Sequence, residues 1–210
     1  MMLYDTIKTS FYKKTEGVIM GIFKLPDGYS EIKRVNLQEN KKLAILLNIG
    51  ALIIMGILFI IGVNFVPISF EIKEDNLLGT LLTLLGVFFA VIIYIVAHEL
   101  VHGIFIKKYS GKKAKYGFTG LYAYAGSDAY FNRRNYIIIA LAPVFVFGII
   151  FLLLNILLPK EWFWAIYFIQ IMNISGAVGD FYIIWLVNRL PTDILTKDDG
   201  PSMIIYSKKK

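Results

Sequence analysis

Long apolar runs alternate with short polar segments along the chain. The runs cover residues 43–63, 77–106, 136–158 and 162–187, and each reaches the roughly 20 residues that a helix needs to cross a bilayer core about 30 Å thick. The pattern predicts four transmembrane helices in an all-α polytopic membrane protein, with residues 43–187 as the transmembrane domain. Residues 1–42 precede it as a cytoplasmic lead-in with a turn at Leu25-Pro26-Asp27-Gly28-Tyr29, where Pro sets φ and Asp-Gly tolerates the bend. Residues 188–210 follow as a cytoplasmic basic tail, with Pro191 and Asp199-Gly200-Pro201 as helix stoppers.

The polar segments between the runs are unequal. One connecting loop, residues 64–76, holds Pro67, Glu71, Glu74 and Asp75, and another is only residues 159–161. Neither has room for a site. The largest, residues 107–135, carries Tyr116, Phe118, Tyr122 and Tyr124 at two-residue spacings around Thr119-Gly120. That alternation predicts a short cytoplasmic β-hairpin between the second and third spans.

Composition agrees with a membrane protein, since 57% of the residues are hydrophobic and 18% charged, too apolar for an ordinary soluble domain. The net charge of +7 raises the question of nucleic acid, but its distribution answers otherwise. Lys and Arg number eight in residues 1–42, one in 64–76, seven in 107–135, one in 159–161 and five in 188–210. This alternation follows the positive-inside rule for four spans with both termini cytoplasmic. The charge therefore reports a multi-pass protein of the cell membrane, in contact with lipid and not with nucleic acid. No short apolar leader precedes residue 43, so the N-terminus is expected to be retained. The absence of cysteine excludes disulfides, a thiolate nucleophile and Cys-ligated metal.

Ionisable side chains are costly in a bilayer unless they are paired or line a polar cavity. The first and third runs contain none, the second contains His98, Glu99 and His102, and the fourth contains Asp180. The two histidines stand four residues apart, one turn of one helix face, with spacing suited to sharing a metal ion. Glu99 lies about 100° around the helix from His98 and can reach a metal-bound water. A metal site that keeps a position for water needs a third ligand. His98 is eight residues before the end of its run and Asp180 seven before the end of its own, so their depths differ by about 1.5 Å before tilt. Asp180 can meet the histidines across a helix interface. The alternatives are packing histidines beside a buried Glu99, and a capping carboxylate at a break made by Gly176 and Gly179. Asn173, about two turns before Asp180, either orients a substrate carbonyl or bonds a neighbouring helix. Gly103 and Pro143 are read as a packing position and a kink.

Leu25-Pro26-Asp27-Gly28-Tyr29, the His98–Gly103 segment, Lys115-Tyr116-Gly117-Phe118, Ala140-Leu141-Ala142-Pro143 and Ser175-Gly176-Ala177-Val178-Gly179-Asp180 together resemble the putative zincin peptidase family of bacterial membrane proteins. More distantly the chain is similar to site-2 intramembrane zinc proteases. The likeness implies one Zn²⁺ ion per chain held by His98, His102 and Asp180, with Glu99 as general base. It departs from the site-2 pattern in that Asp180 is followed by Phe181 and its stretch lacks Pro. The expected function is a membrane-embedded zinc metallopeptidase that hydrolyses a membrane or membrane-proximal protein with metal-activated water. Two other classes stand beside it. One is a non-catalytic membrane partner protein that retains a metal or polar cluster. The other is a small proton or metal transporter, disfavoured because four spans show no inverted repeat.

Overall fold

The computed structural model describes residues 14–15, 18–19, 21–67, 77–120 and 122–208. Glu71, Glu74, Asp75, Lys209, Lys210 and most of the lead-in before residue 21 lie outside the described residues.

Among the described residues five α-helices follow in chain order: α1 Lys41–Phe65, α2 Leu77–Ser110, α3 Arg133–Leu157, α4 Phe163–Gly176 and α5 Val178–Asn188. Four of the described stretches are long and apolar enough to cross a membrane: Lys41–Phe65, Leu77–Ser110, Arg133–Leu157 and Lys160–Asn188. They overlap the four apolar runs. Local chemistry sets their ends. The Asn40 carboxamide accepts the Leu43 N–H at 3.0 Å, an N-cap that starts α1. α2 stops where Gly111 takes φ +75 and returns its N–H to the Lys107 carbonyl at 2.8 Å, the left-handed stop that glycine makes cheaply. The fourth stretch is interrupted: a 3₁₀ turn, Lys160–Trp162, leads into α4, and a break at Ala177 separates α4 from α5.

The chain forms two compact units, one of residues 1–45, 99–142 and 180–210, the other of residues 46–98 and 143–179. The second is helical. Tyr94, Phe151 and Ile166 form its buried cluster, packed by Phe147, Leu154, Ile169 and Met172. Gly62 is buried because the Tyr167 ring occupies the space a Cβ would need, and the Tyr167 hydroxyl donates to the Leu58 carbonyl at 2.7 Å. Leu46, Leu52, Ile60 and Ile93 are each more than 60% exposed, an apolar surface too continuous for water.

The first unit is where the structure departs from an all-α expectation. It holds a four-stranded antiparallel sheet of β3 Tyr29–Asn36, β6 Tyr130–Asn132, β7 Leu195–Asp198 and β8 Ser202–Lys208, in the order β3-β8-β7-β6. A two-stranded pair, β1 Lys14–Thr15 with β2 Val18–Ile19, precedes it. Residues read as a polar tail thus include two strands. Along β8, Met203, Ile205 and Ser207 are buried while Ile204 and Tyr206 are less so, the two-residue period of a strand with one covered face. That face joins Val35, Ile106, Phe131, Tyr136, Ile139 and Val187 in one core. The predicted hairpin is present as β4 Lys115–Phe118 and β5 Ala123–Gly126. Its turn contains Gly120 at φ +87.

Candidate metal centre

α2 presents Tyr94, His98 and His102 at four-residue intervals, so the three side chains follow one face of an unbroken helix. The His102 Nδ1–H donates to the Ile139 carbonyl of α3 at 2.9 Å. The side chain is nearly buried, with Nε2 at 3.8 Å from Asp180 Oδ1. The His98 Nδ1 lies 2.9 Å from the Tyr94 hydroxyl. That hydroxyl donates its one hydrogen to Asn173 Oδ1 at 3.1 Å, so the bond with His98 runs from Nδ1–H to the phenol oxygen. In both rings Nδ1 carries the proton, and a neutral imidazole then presents a lone pair at Nε2. Metal-ligating histidines are held in the same way, by a partner on the nitrogen that does not ligate.

Asp180 stands in the first turn of α5, just after the break at Ala177, where the helix dipole favours a carboxylate. His98, His102 and Asp180 each offer one ligand atom, and these atoms lie within 4.8 Å of one another. Two imidazole nitrogens and a carboxylate oxygen form a donor set of the zinc type, short of the four ligands of a closed structural site. The residues present therefore fit a zinc ion with a position left for water.

Glu99, next to His98 on α2, faces the hairpin, where the Ala125 backbone amide acts on its carboxylate. In β4–β5 the turn bond from Thr119 N–H to the Tyr122 carbonyl at 3.0 Å and the pairing of Gly117 with Tyr124 and Tyr116 with Ala125 fix which amides face outward. Antiparallel pairs alternate, so Ala123, Ala125 and Ser127 direct their N–H groups away from β4. The Ser127 N–H donates to the Asp198 carbonyl at 2.6 Å, in agreement with that alternation. The hairpin also rests on α2: a Cβ at Gly103 would collide with the Tyr116 hydroxyl, which bears out the packing role of Gly103.

Of two further polar residues, Asn173 takes one of the roles its sequence position offers and Asp198 is not singled out by the sequence. Asn173 is fully buried, accepts from Tyr94 and donates to the Val144 carbonyl at 3.2 Å, which is the interhelical alternative and places it behind His98. Asp198, from the stretch read as tail, accepts hydrogen bonds from the Tyr136 hydroxyl and from the Gly200 N–H at 2.9 Å. Burial pushes its carboxyl up to about 6, against these hydrogen bonds, which draw it down. Only its recruitment into β7 brings it there, and no local motif announces that.

Residues 91–195, half of the chain, match the family model described as putative zincin peptidase. The matched region contains every residue of the centre from Tyr94 to Asp180. No curated protein and no solved structure matches the chain.

Proposed function

The chain belongs to the putative zincin peptidase family, whose model its residues 91–195 match, and on that premise we propose that it is a membrane-embedded, zinc-dependent metallopeptidase. The observation that carries this reading is the convergence of His98, His102 and Asp180 within 4.8 Å, with both Nδ1 atoms already engaged. These three side chains would hold one zinc ion per chain. A bound zinc ion supplies Lewis acidity and makes water deprotonable near pH 7. Glu99 is the general base: its carboxylate takes the proton of the attacking water and returns it to the departing amine nitrogen.

The substrate is a membrane or membrane-proximal protein. A helical substrate hides its carbonyls in its own hydrogen bonds, so it must unwind before attack. The hairpin, whose Ala125 amide lies beside Glu99, is where an unwound segment adds as a strand, its carbonyl taking the Ala125 N–H in place of the Glu99 carboxylate. The Lys and Arg distribution supports both termini on the cytoplasmic side. Because the chain has no cysteine, single cysteines introduced at Gln38 and Leu158 should label from opposite sides of the membrane. Labelling of both from one side overturns the orientation.

The deciding experiment is zinc content per chain of protein purified in detergent. Wild type and Glu99→Gln should carry about one zinc, and folded His98→Ala and Asp180→Ala should carry none. Glu99→Gln should then hold uncleaved substrate. Folded wild type without stoichiometric metal overturns the reading.

A further inference from the structure

Pro143 lies inside α3, and a proline there has no N–H to give to the carbonyl four residues before it. Counting back four residues gives Ile139. The Ile139 carbonyl is the group that accepts the His102 Nδ1–H at 2.9 Å. In an uninterrupted helix this oxygen would also accept the backbone amide at position 143, so the imidazole would share it with a second donor. A buried imidazole N–H needs a good acceptor, so with that oxygen shared the Nδ1–H bond would be weaker and the tautomer that leaves Nε2 free to ligate would be held less firmly.

We propose that Pro143 is a positioning residue of the metal centre: by leaving the Ile139 carbonyl without its helical donor, it reserves that oxygen for His102 and fixes the imidazole with Nε2 as the ligand atom. This rests on the metal-site reading above. A kink alone, the role its sequence position suggests, would not require the carbonyl that it releases to be the one bonded by His102. The coincidence of position 143 with the fourth residue after Ile139 ties the two together.

The reading makes two properties move in opposite directions. Restoring the amide with Pro143→Ala should leave metal-free α3 at least as well formed, because proline is the poorest residue for a helix interior. Zinc affinity should nevertheless fall about 10-fold, the lower end of the range for loss of an outer-shell partner. Pro143 is almost fully buried, so Pro143→Val, closer in volume and also carrying an N–H, controls for lost packing and should show the same loss. The measurements are chelator competition for Zn²⁺ and the visible spectrum of the Co²⁺-loaded protein, which reports ligand geometry, on wild type and both variants, with thermal unfolding of the metal-free forms alongside. Weaker zinc binding and an altered Co²⁺ spectrum in both folded variants are the expected result. Wild-type affinity and an unchanged spectrum in either folded variant overturn the positioning role while leaving the metal site standing. Failure of both variants to fold also overturns it, since the restored hydrogen bond should favour the helix. A wild type that takes up neither ion defeats the metal reading itself, and this proposal with it.

Discussion

Tyr94 meets two partners with one hydroxyl, and that makes its contribution separable. The oxygen accepts from His98 Nδ1 and the hydrogen goes to Asn173 Oδ1, while the ring packs edge-on against Phe147 and Phe151. Tyr94→Phe keeps the ring and removes only the hydroxyl. It should cost about 1–3 kcal/mol of stability, because the buried Asn173 Oδ1 loses its donor, and lower zinc affinity about 10-fold by loosening His98. His98→Ala should instead abolish stoichiometric zinc. Chelator competition on the two purified variants separates the effects, and equal zinc affinity in wild type and Tyr94→Phe would show that the hydroxyl does not orient the ring. At this scale the centre is only partly readable from the sequence. His98, Glu99, His102 and Asp180 stand out because ionisable groups are rare in apolar runs, and Tyr94 shares their helical spacing. The acceptor for His102 is a main-chain carbonyl, which every residue has. Its role emerges only when α3 is placed beside α2.

Among the elements, the β4–β5 hairpin shows how far a two-residue period carries. The alternation of Tyr116, Phe118, Tyr122 and Tyr124 locates the hairpin, but the register places Tyr116 and Phe118 opposite Ala125 and Ala123, with Tyr124 on the other face over Gly117. A Cβ at Gly117 would strike the Tyr124 ring, so glycine supplies the complementary surface. On the far side, Gly126 lies against the backbone of Asp199 and Gly200. Backbone cannot swing aside as a side-chain tip can. Gly126→Ala should therefore destabilise the first unit by about 1–3 kcal/mol, as overpacking does. Gly103→Ala, which meets the movable end of Tyr116, should cost less. Thermal unfolding in detergent ranks them, and the reverse order would mean that the hairpin yields more easily than the Asp199–Gly200 turn. The sheet is less legible than the hairpin for a physical reason. β3 and β8 pair residues as far apart as Tyr29 and Lys208, so neither strand has a neighbour in sequence to suggest its partner. The period in β8 is present at Met203, Ile205 and Ser207, yet it lies between an Asp-Gly-Pro turn and three terminal lysines and so resembles a solvated tail.

For the molecule as a whole, that distant pairing makes the C-terminal strands part of the core that supports the centre. Met203 and Ile205 pack in one cluster with Ile106, Tyr136 and Ile139, and removal of large core side chains costs about 2–5 kcal/mol each, against a total stability of about 5–15 kcal/mol for a typical domain. A chain ending at Asn188 should lose the fold of the first unit and its zinc together. Retention of zinc by that truncated chain would show that the helices alone suffice. The closing of the sheet also has a pH signature. Asp193 accepts the Lys208 N–H at 3.0 Å and the Ser207 hydroxyl at 3.0 Å, while its carbonyl accepts the Tyr29 hydroxyl at 3.1 Å. One residue after α5 thus holds the end of β8 and the start of β3. The Lys208 amide, with the Ser207 hydroxyl, holds its carboxyl below the usual carboxylate value. A carboxylate with a lowered folded pKa binds fewer protons than in the unfolded chain, so its stabilisation is present above the unfolded value of about 3.9 and is lost as pH falls through the folded one. Asp193→Asn should therefore unfold at a lower temperature than wild type at pH 7, and the gap should narrow below about pH 4 as the wild-type carboxylate is protonated. Hydrogen exchange at residues 204–208 localises the effect, since faster exchange there in Asp193→Asn at pH 7 is expected. A gap in melting temperature that stays constant from pH 7 to pH 3 would assign the contribution to the shape of the side chain instead of its charge.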